Sequence, residues 1–551
     1  MNAYSLILSL LFCISFHEVL FSEKNKRETE LLTPITSIGN IEPGKQNFNL
    51  LVLGGGYSPS GNEVSLESNV KYLHRMQQEI GLGKFKLKTL FADGMEKTRD
   101  IQYRDPNFTV PESNLILAEI FGSTRGIFNQ YRNNFVNADG PSSVKELDGW
   151  IKEVNSTAES AYNLIYFTGH GGKGEKKSPL NTSTYLWNNQ KVKVSDFTHK
   201  LDSLPLSHSI ILVMVQCYSG GFANYIFREG DSKKGLHPQI RAGFFATVHD
   251  RVAAGCTPDI REENYQEYST HFWEALCGES RIGKKITKPD FNGDGYTSLS
   301  EAHAYVIINA NTIDLPIKTS DLFLRRFSSF EPPKEANQLV SLIDQKREIE
   351  SESDSNLSDR KVPQQDWIFR TDPISEILIL ASPESKATIK ALAKRLSFQD
   401  ESLFEKAENK IEELKKRREE LAKSKKKKDE QKKNLKNKIK SRLLKEWPEL
   451  ANTQHPIADR LKQPAKPSRL LTVANQNNEW KDLKMRKEEI LKIESQRFKL
   501  EKIQVLAMRL KYEIENVILK IALPKINSPD IIERFSRIEK LERTILRQAK
   551  G

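Results

Sequence analysis

Apolar and polar positions change their period several times along this chain. Asn49-Leu50-Leu51-Val52-Leu53, followed by three glycines, predicts a buried strand that ends in a turn. Val70, Leu73, Met76 and Ile80 recur at helical spacing and predict a helix over 66–80. A strand follows at 85–91, a helix at 144–154, and a strand at 164–167 stopped by Gly171-Gly172. A short helix at 195–201 precedes the apolar run 210–215, which is closed by Gly220-Gly221. A strand at 242–247 and a helix at 265–277 complete this half. Strands that are apolar throughout and alternate with helices predict an α/β fold, with a mostly parallel sheet covered by helices on both faces. Ligands of such sheets sit beyond the carboxyl ends of strands, so the residues after Phe167 and Val215 are the ones to read for chemistry.

The pattern changes after residue 331. Residues 332–370 are polar, with Glu348–Asp359 rich in Ser, Glu and Asp, and read as a linker. Phe404, Ala407, Ile411, Leu414 and Leu421 then follow near-heptad spacing, Lys423–Lys433 interrupts it, and Leu435, Ile439 and Leu443 resume it. Four prolines between 448 and 467 mark a loop. A second stripe from Ile490 to Ile521 ends at Pro524. The expectation is an antiparallel α-helical coiled-coil hairpin within 371–551, with a short third helix at 531–546.

Charge sharpens this division. The 551 residues carry a net +12, of which residues 381–551 hold +18 and residues 1–380 hold −6. Such a basic region suits nucleic acid, but the first residues argue against it. Tyr4–Phe16 is a largely apolar run, too short to span a bilayer and suited to a signal-peptide core, although no Lys or Arg precedes it. Residues 1–22 therefore read as a signal peptide and 23–47 as a linker, which predicts an extracytoplasmic protein. Lipidation at Cys13 is the alternative. Cleavage would leave Cys217, Cys256 and Cys277, too few for a disulfide framework; the odd thiol points to an intermolecular bridge or a reactive sulfur.

Two glycine-framed motifs follow predicted strands: Thr168-Gly169-His170-Gly171-Gly172 and Gln216-Cys217-Tyr218-Ser219-Gly220-Gly221. Glycine lets a backbone turn sharply and approach a substrate. A Cys–His pair supplies a thiolate nucleophile and an acid for a leaving amine. Backbone N–H groups at Gly171 and Tyr218 are candidates for holding an oxyanion. The chemistry expected is amide hydrolysis through an acyl-thioester on Cys217, with His170 as general acid/base and protein or peptide substrates. Either residue alone would read as structural.

The paired motifs resemble those of caspase-like cysteine peptidases, and most nearly bacterial legumain-like peptidases. Ser65-Leu66-Glu67-x-Asn69, and Phe245-Ala246-Thr247 leading to Ala254-Gly255-Cys256, add to the likeness over residues 48–310. The resemblance implies a caspase-like peptidase domain over 48–331, with His170 and Cys217 in the roles above. His170 precedes Cys217 by 47 residues, near the spacing of about 50 in caspase-type enzymes. The chain departs from legumains where they carry acids around the nucleophile: Val215 and Tyr218 stand there. The pocket-wall acid expected beyond Cys256 falls near His271, with Glu267 close by. The Arg-His pair expected after the first strand is replaced by Asn62-Glu63. Glu63, Glu67 and Glu267 would suit a Lys or Arg substrate side chain by charge complementarity. Each Glu also reads as an ordinary surface residue.

Asp290, Asn292, Asp294, Tyr296, Ser298 and Glu301 fit the calcium-loop pattern, with Gly295 at the sharp turn and the Tyr296 carbonyl as a ligand. An Asx turn and a Ser298–Glu301 capping box explain the same residues without a metal. A structural Ca²⁺ and no organic cofactor are expected. The basic hairpin reads as a solvated face. The legumain resemblance implies instead a helical prodomain over the active site, and an anionic envelope surface is a further partner. A peptide ligase of the same chemistry, and a non-catalytic calcium-braced scaffold or adhesin, are the competing functions.

Overall fold

The structure is a computed structural model that describes residues 47–156, 161–328, 367–399, 401–452, 454–462 and 467–546. The expected signal segment, the linker through residue 46 and the polar linker from 332 to 366 lie outside them. The front half runs β1 (Asn47–Gly54), α1 (Val64–Met76), β2 (Lys86–Phe91), β3 (Ile101–Tyr103), α2 (Glu112–Phe121), β4 (Gln130–Arg132), α3 (Val144–Asn155) and β5 (Ala161–Thr168). It continues through β6 (His170–Gly172), β7 (Ser183–Leu186), β8 (Gln190–Lys193), α4 (Val194–Leu201), β9 (Ser209–Met214) and β10 (Arg241–Phe245). Then come α5 (Tyr268–Cys277), α6 (Leu299–Asn309), β11 (Ile317–Lys318) and α7 (Thr319–Phe327).

The central sheet has the order β11-β10-β9-β5-β1-β2. All its neighbours are parallel except the short edge strand β11, which is antiparallel to β10. Side chains alternate between two cores, as a pleated strand requires. Leu50, Val52, Tyr166 and Val213 pack under α1, α5 and α6 with Val70, Phe272, Trp273 and Val306. Leu51, Leu53, Phe167 and Leu212 pack on the other face with Trp150, Phe197 and Phe323 from α3, α4 and α7. Two features escape the apolar pattern. They are the ribbon β3–β4 and the antiparallel flap β6-β7-β8, both built from strands of three or four residues.

The helical region comprises α8 (Ile374–Leu380), α9 (Pro383–Arg395), α10 (Leu403–Glu446), α11 (Ile457–Lys462), α12 (Pro467–Ala474), α13 (Glu479–Ile526) and α14 (Pro529–Glu542). Helix α10 runs through the lysine block that the sequence reads as an interruption. Lysine is a good helix former, and Lys425 and Lys428 reach Glu494 and Glu489 across the interface. With Arg442–Glu479 and Lys511–Glu408 these ion pairs fix α10 and α13 as antiparallel neighbours. Helix α13 also passes Pro524 and ends at Ile526.

This region shares its core with the sheet. Leu519 and Leu523 of α13 and Phe535 and Ile538 of α14 join the cluster on one sheet face, and Leu541 and Leu546 join the other. At the far end of the hairpin, Ile439, Leu443 and Trp480 pack on Ile116 and Ile120 of α2. No helix among the described residues is long and apolar enough to cross a membrane.

Candidate active site at the carboxyl edge of the sheet

β5 and β9 are hydrogen-bonded neighbours, with Phe167 opposite Met214. His170 and Cys217 follow them directly, so both emerge at the same edge. Glycine makes this approach physically possible. A Cβ on Gly171 would lie 2.0 Å from the Cys217 carbonyl oxygen, and one on Gly169 would lie 2.8 Å from the Gly55 carbonyl.

The His170 ring is fixed from one side. Its Nε2 lies 2.7 Å from the Gly61 carbonyl and 3.0 Å from Glu63 Oε2. A carbonyl only accepts, so Nε2 carries a proton. Tyr57 packs edge-on against the ring. Gly61 and Glu63 belong to the turn that enters α1. Its Asn62 is held by Asp100 Oδ2 at 2.9 Å and accepts from the Gly56 amide. Burial opposes a charge on His170, but the Cys256 sulfur and the Glu63 carboxylate outweigh it and hold the imidazole well above its usual pKa.

Cys217 makes no hydrogen bond to His170. Its Sγ accepts from the Ala253 amide at 3.3 Å and lies 3.7 Å from the Ala253 carbonyl. Burial pushes its thiol up, opposed by Ala253 and by the nearby His170. Tyr218 adopts a left-handed φ of 61°, a conformation that costs a non-glycine residue roughly 1–2 kcal/mol. Its amide donates to the Arg251 carbonyl at 2.8 Å. The Tyr218 N–H is therefore not open to an oxyanion. The Cys217 N–H has no such partner among the described residues.

Loop 246–257, after β10, supplies the rest. Ala253 cradles the Cys217 sulfur, and exposed Cys256 contacts the Gly169 carbonyl at 3.9 Å and neighbours His170. Asp314, fully buried, accepts from the Ala254 amide at 2.7 Å. Helix α13 supports this loop from behind. Arg509 donates to the carbonyls of Asp314, Ile307 and Ala310 and to Thr312 Oγ1. Glu501 pairs with Arg251 at 3.1 Å. Among the described residues, no hydrogen bond or ion pair joins the helical region to His170, Cys217 or Cys256.

The glutamates expected to line a cationic pocket are all engaged. Glu63 faces His170. Glu67, 1% exposed, holds Arg132 through both oxygens and accepts from the Phe135 amide. Glu267 sits against Gly255, beneath the Cys256 loop, but pairs with buried Arg281 at 3.1 Å. His271 is buried on α5, bonded to Glu274 at 2.7 Å and facing Tyr305 of α6. None of the four presents a free charge for a Lys or Arg side chain.

Asp290 to Glu301 form one compact turn before α6. Asp290 accepts from the amides of Gly293, Asp294 and Gly295, and Asp294 accepts from Tyr296 and from the Asn292 side chain. Glu301 accepts from Phe291 and from Ser298, closing the capping box. The Asx-type turn and the capping box are thus both formed. The donors are all oxygen and Gly295 takes the left-handed φ of 83° that a calcium loop needs, so the residues also fit Ca²⁺.

Several contributors carried no readable signal. Gly61 acts through its carbonyl, and Ala253, Asp314 and Arg509 through contacts distant in sequence. Gln216, beside Cys217, is buried with neither side-chain polar atom paired. Cys256 was legible as an odd thiol and as part of the motif after β10, but not as a neighbour of His170. Comparison with known families finds no family model that matches this chain, and no curated protein is significantly similar to it.

Proposed function

We propose that the chain is a caspase-like cysteine endopeptidase. The observation that carries this reading is the His170 ring. It is pinned through Nε2 by Gly61 and Glu63, at the same sheet edge as Cys217. In the proposed reaction the Cys217 thiolate attacks the scissile carbonyl carbon. A carbon–sulfur bond forms and the carbonyl electrons move to oxygen, where the Cys217 N–H is the available donor. Collapse expels the amine, which takes a proton from His170. Water then attacks the thioester while His170 accepts its proton, and the thiolate leaves as the acid product forms. Glu63 stabilises the imidazolium and orients the ring.

The Asp290–Glu301 oxygens would hold Ca²⁺, which supplies charge neutralisation to the turn that starts α6 and takes no part in the reaction. The contacts of α13 favour a bracing role for the helical region over the inhibitory lid implied by resemblance.

The test is cleavage of a peptide library, varied at the residue before the scissile bond, by the full chain with reductant and calcium. Products should form and fall at least about 10³-fold in Cys217→Ala and His170→Ala. A silent wild type, or activity retained in both variants, would overturn the reading. Joined rather than cut peptides would reassign the acyl acceptor from water to an amine.

A further inference from the structure

Three side chains from separate segments meet beside the nucleophile: Glu63 from the turn before α1, His170 from the start of β6, and Cys256 from the loop after β10. One ligand atom of each lies within 4.8 Å of the others. We propose that Glu63, His170 and Cys256 form a Zn²⁺ site that competes with catalysis by taking His170 as a ligand. The regulatory consequence rests on the peptidase reading; the metal site itself does not.

The donor chemistry selects the ion. Sulfur, imidazole nitrogen and one carboxylate oxygen suit a borderline cation such as Zn²⁺ and disfavour Ca²⁺ or Mg²⁺, which take oxygen. Tetrahedral zinc with bonds of about 2.0–2.3 Å sets its ligand atoms roughly 3.3–3.8 Å apart. The Glu63–His170 contact of 3.0 Å is already near that span. The closure required falls on Cys256, which is exposed, contacts the Gly169 carbonyl at 3.9 Å and already interacts with His170. Three protein ligands leave a fourth position for water or for a substrate group. The Asn62–Asp100 pair holds the turn that carries Glu63. Binding through Nε2 replaces the proton which that nitrogen shares with the Gly61 carbonyl and Glu63, so the metal and the proton compete for one position.

Co²⁺ replaces Zn²⁺ in such sites and reports a bound thiolate by a charge-transfer absorption band. The full chain titrated with Co²⁺ should show this band, displaced by Zn²⁺. Cys217→Ala should keep it, Cys256→Ser should lose it, and Glu63→Gln should weaken binding at least about tenfold. Circular dichroism of each variant checks folding. No band in the wild type, a band lost only in Cys217→Ala, or one that survives Cys256→Ser would overturn the site. Peptidase assays separate the two ideas. Zinc should inhibit the wild type at least about tenfold more strongly than Cys256→Ser, each measured against its own zinc-free rate. A band that follows Cys256 in a chain without peptidase activity upholds the metal site and sinks the proposed function. Activity without a band does the reverse.

Discussion

Gly171 lies so close to the Cys217 carbonyl that even a methyl group has no room, and the obstacle is backbone rather than a movable side chain. Gly171→Ala should therefore separate the His170 and Cys217 segments. We expect about 1–3 kcal/mol of destabilisation by thermal or denaturant melts and a larger fall in kcat than in substrate affinity. Glu63→Gln keeps the shape of the turn but removes the charge that favours the imidazolium. It should lower kcat by about 10–100-fold with little change in melting temperature. Asp100, which anchors the same turn, sits in a site that resists its charge. Burial, with Asp93 nearby, raises it to about 7. The folded chain then binds the proton more tightly than the unfolded chain, whose carboxyl titrates near about 4. Its stabilising contribution is complete below that value and is lost as pH rises through about 7. Asp100→Asn cannot ionise, so its melting temperature should vary less than the wild type's across this window. The difference amounts to at most about 4 kcal/mol.

At the scale of elements, the loop that carries Ala253 and Cys256 is stiffened by a helix more than 200 residues further along the chain. Arg509 is buried and satisfies carbonyls of three residues in the segment that holds Asp314. Arg509→Met fills similar space but leaves those carbonyls unpaired. It should cost about 3 kcal/mol or more, read by denaturant melts, and should reduce the proposed peptidase activity with no change to any residue at the candidate site. None of this was legible beforehand, because Arg509 looks in sequence like one more cation on a basic helix. The strands β1, β5 and β9 were legible because each is a short apolar run closed by glycine or polar residues. The flap β6-β7-β8 was not, since its strands are too short for a period and its register comes from pairing. His170 and Cys217 could be read from their flanking glycines. Glu63 was read as a pocket acid because sequence gives a carboxylate's charge but not its partner.

At the scale of the molecule, the helical region was expected to be a separate basic module. Instead its Leu519, Leu523, Phe535 and Ile538 complete one sheet core, and Leu541 and Leu546 the other. Truncation after about Asp366 would expose both. Each of these large side chains contributes about 1.5–3 kcal/mol when fully buried. The shortened chain should show no cooperative melt and no gain in activity; a folded, more active fragment would restore the inhibitory-lid reading. Calcium chelation should lower the melting temperature of the intact chain by a few degrees through the Asp290–Glu301 turn, and an unchanged melt would remove the ion from the picture. The closing of the sheet by α14 also has a consequence in time. Residues 529–546 are translated long after His170 and Cys217, yet the cores behind those residues are incomplete without them. A chain still being synthesised cannot complete those cores until this segment has been made. Under the proposed function, the order of residues alone delays hydrolysis until residues 529–546 have been made and packed, a safeguard for the cell that makes the chain.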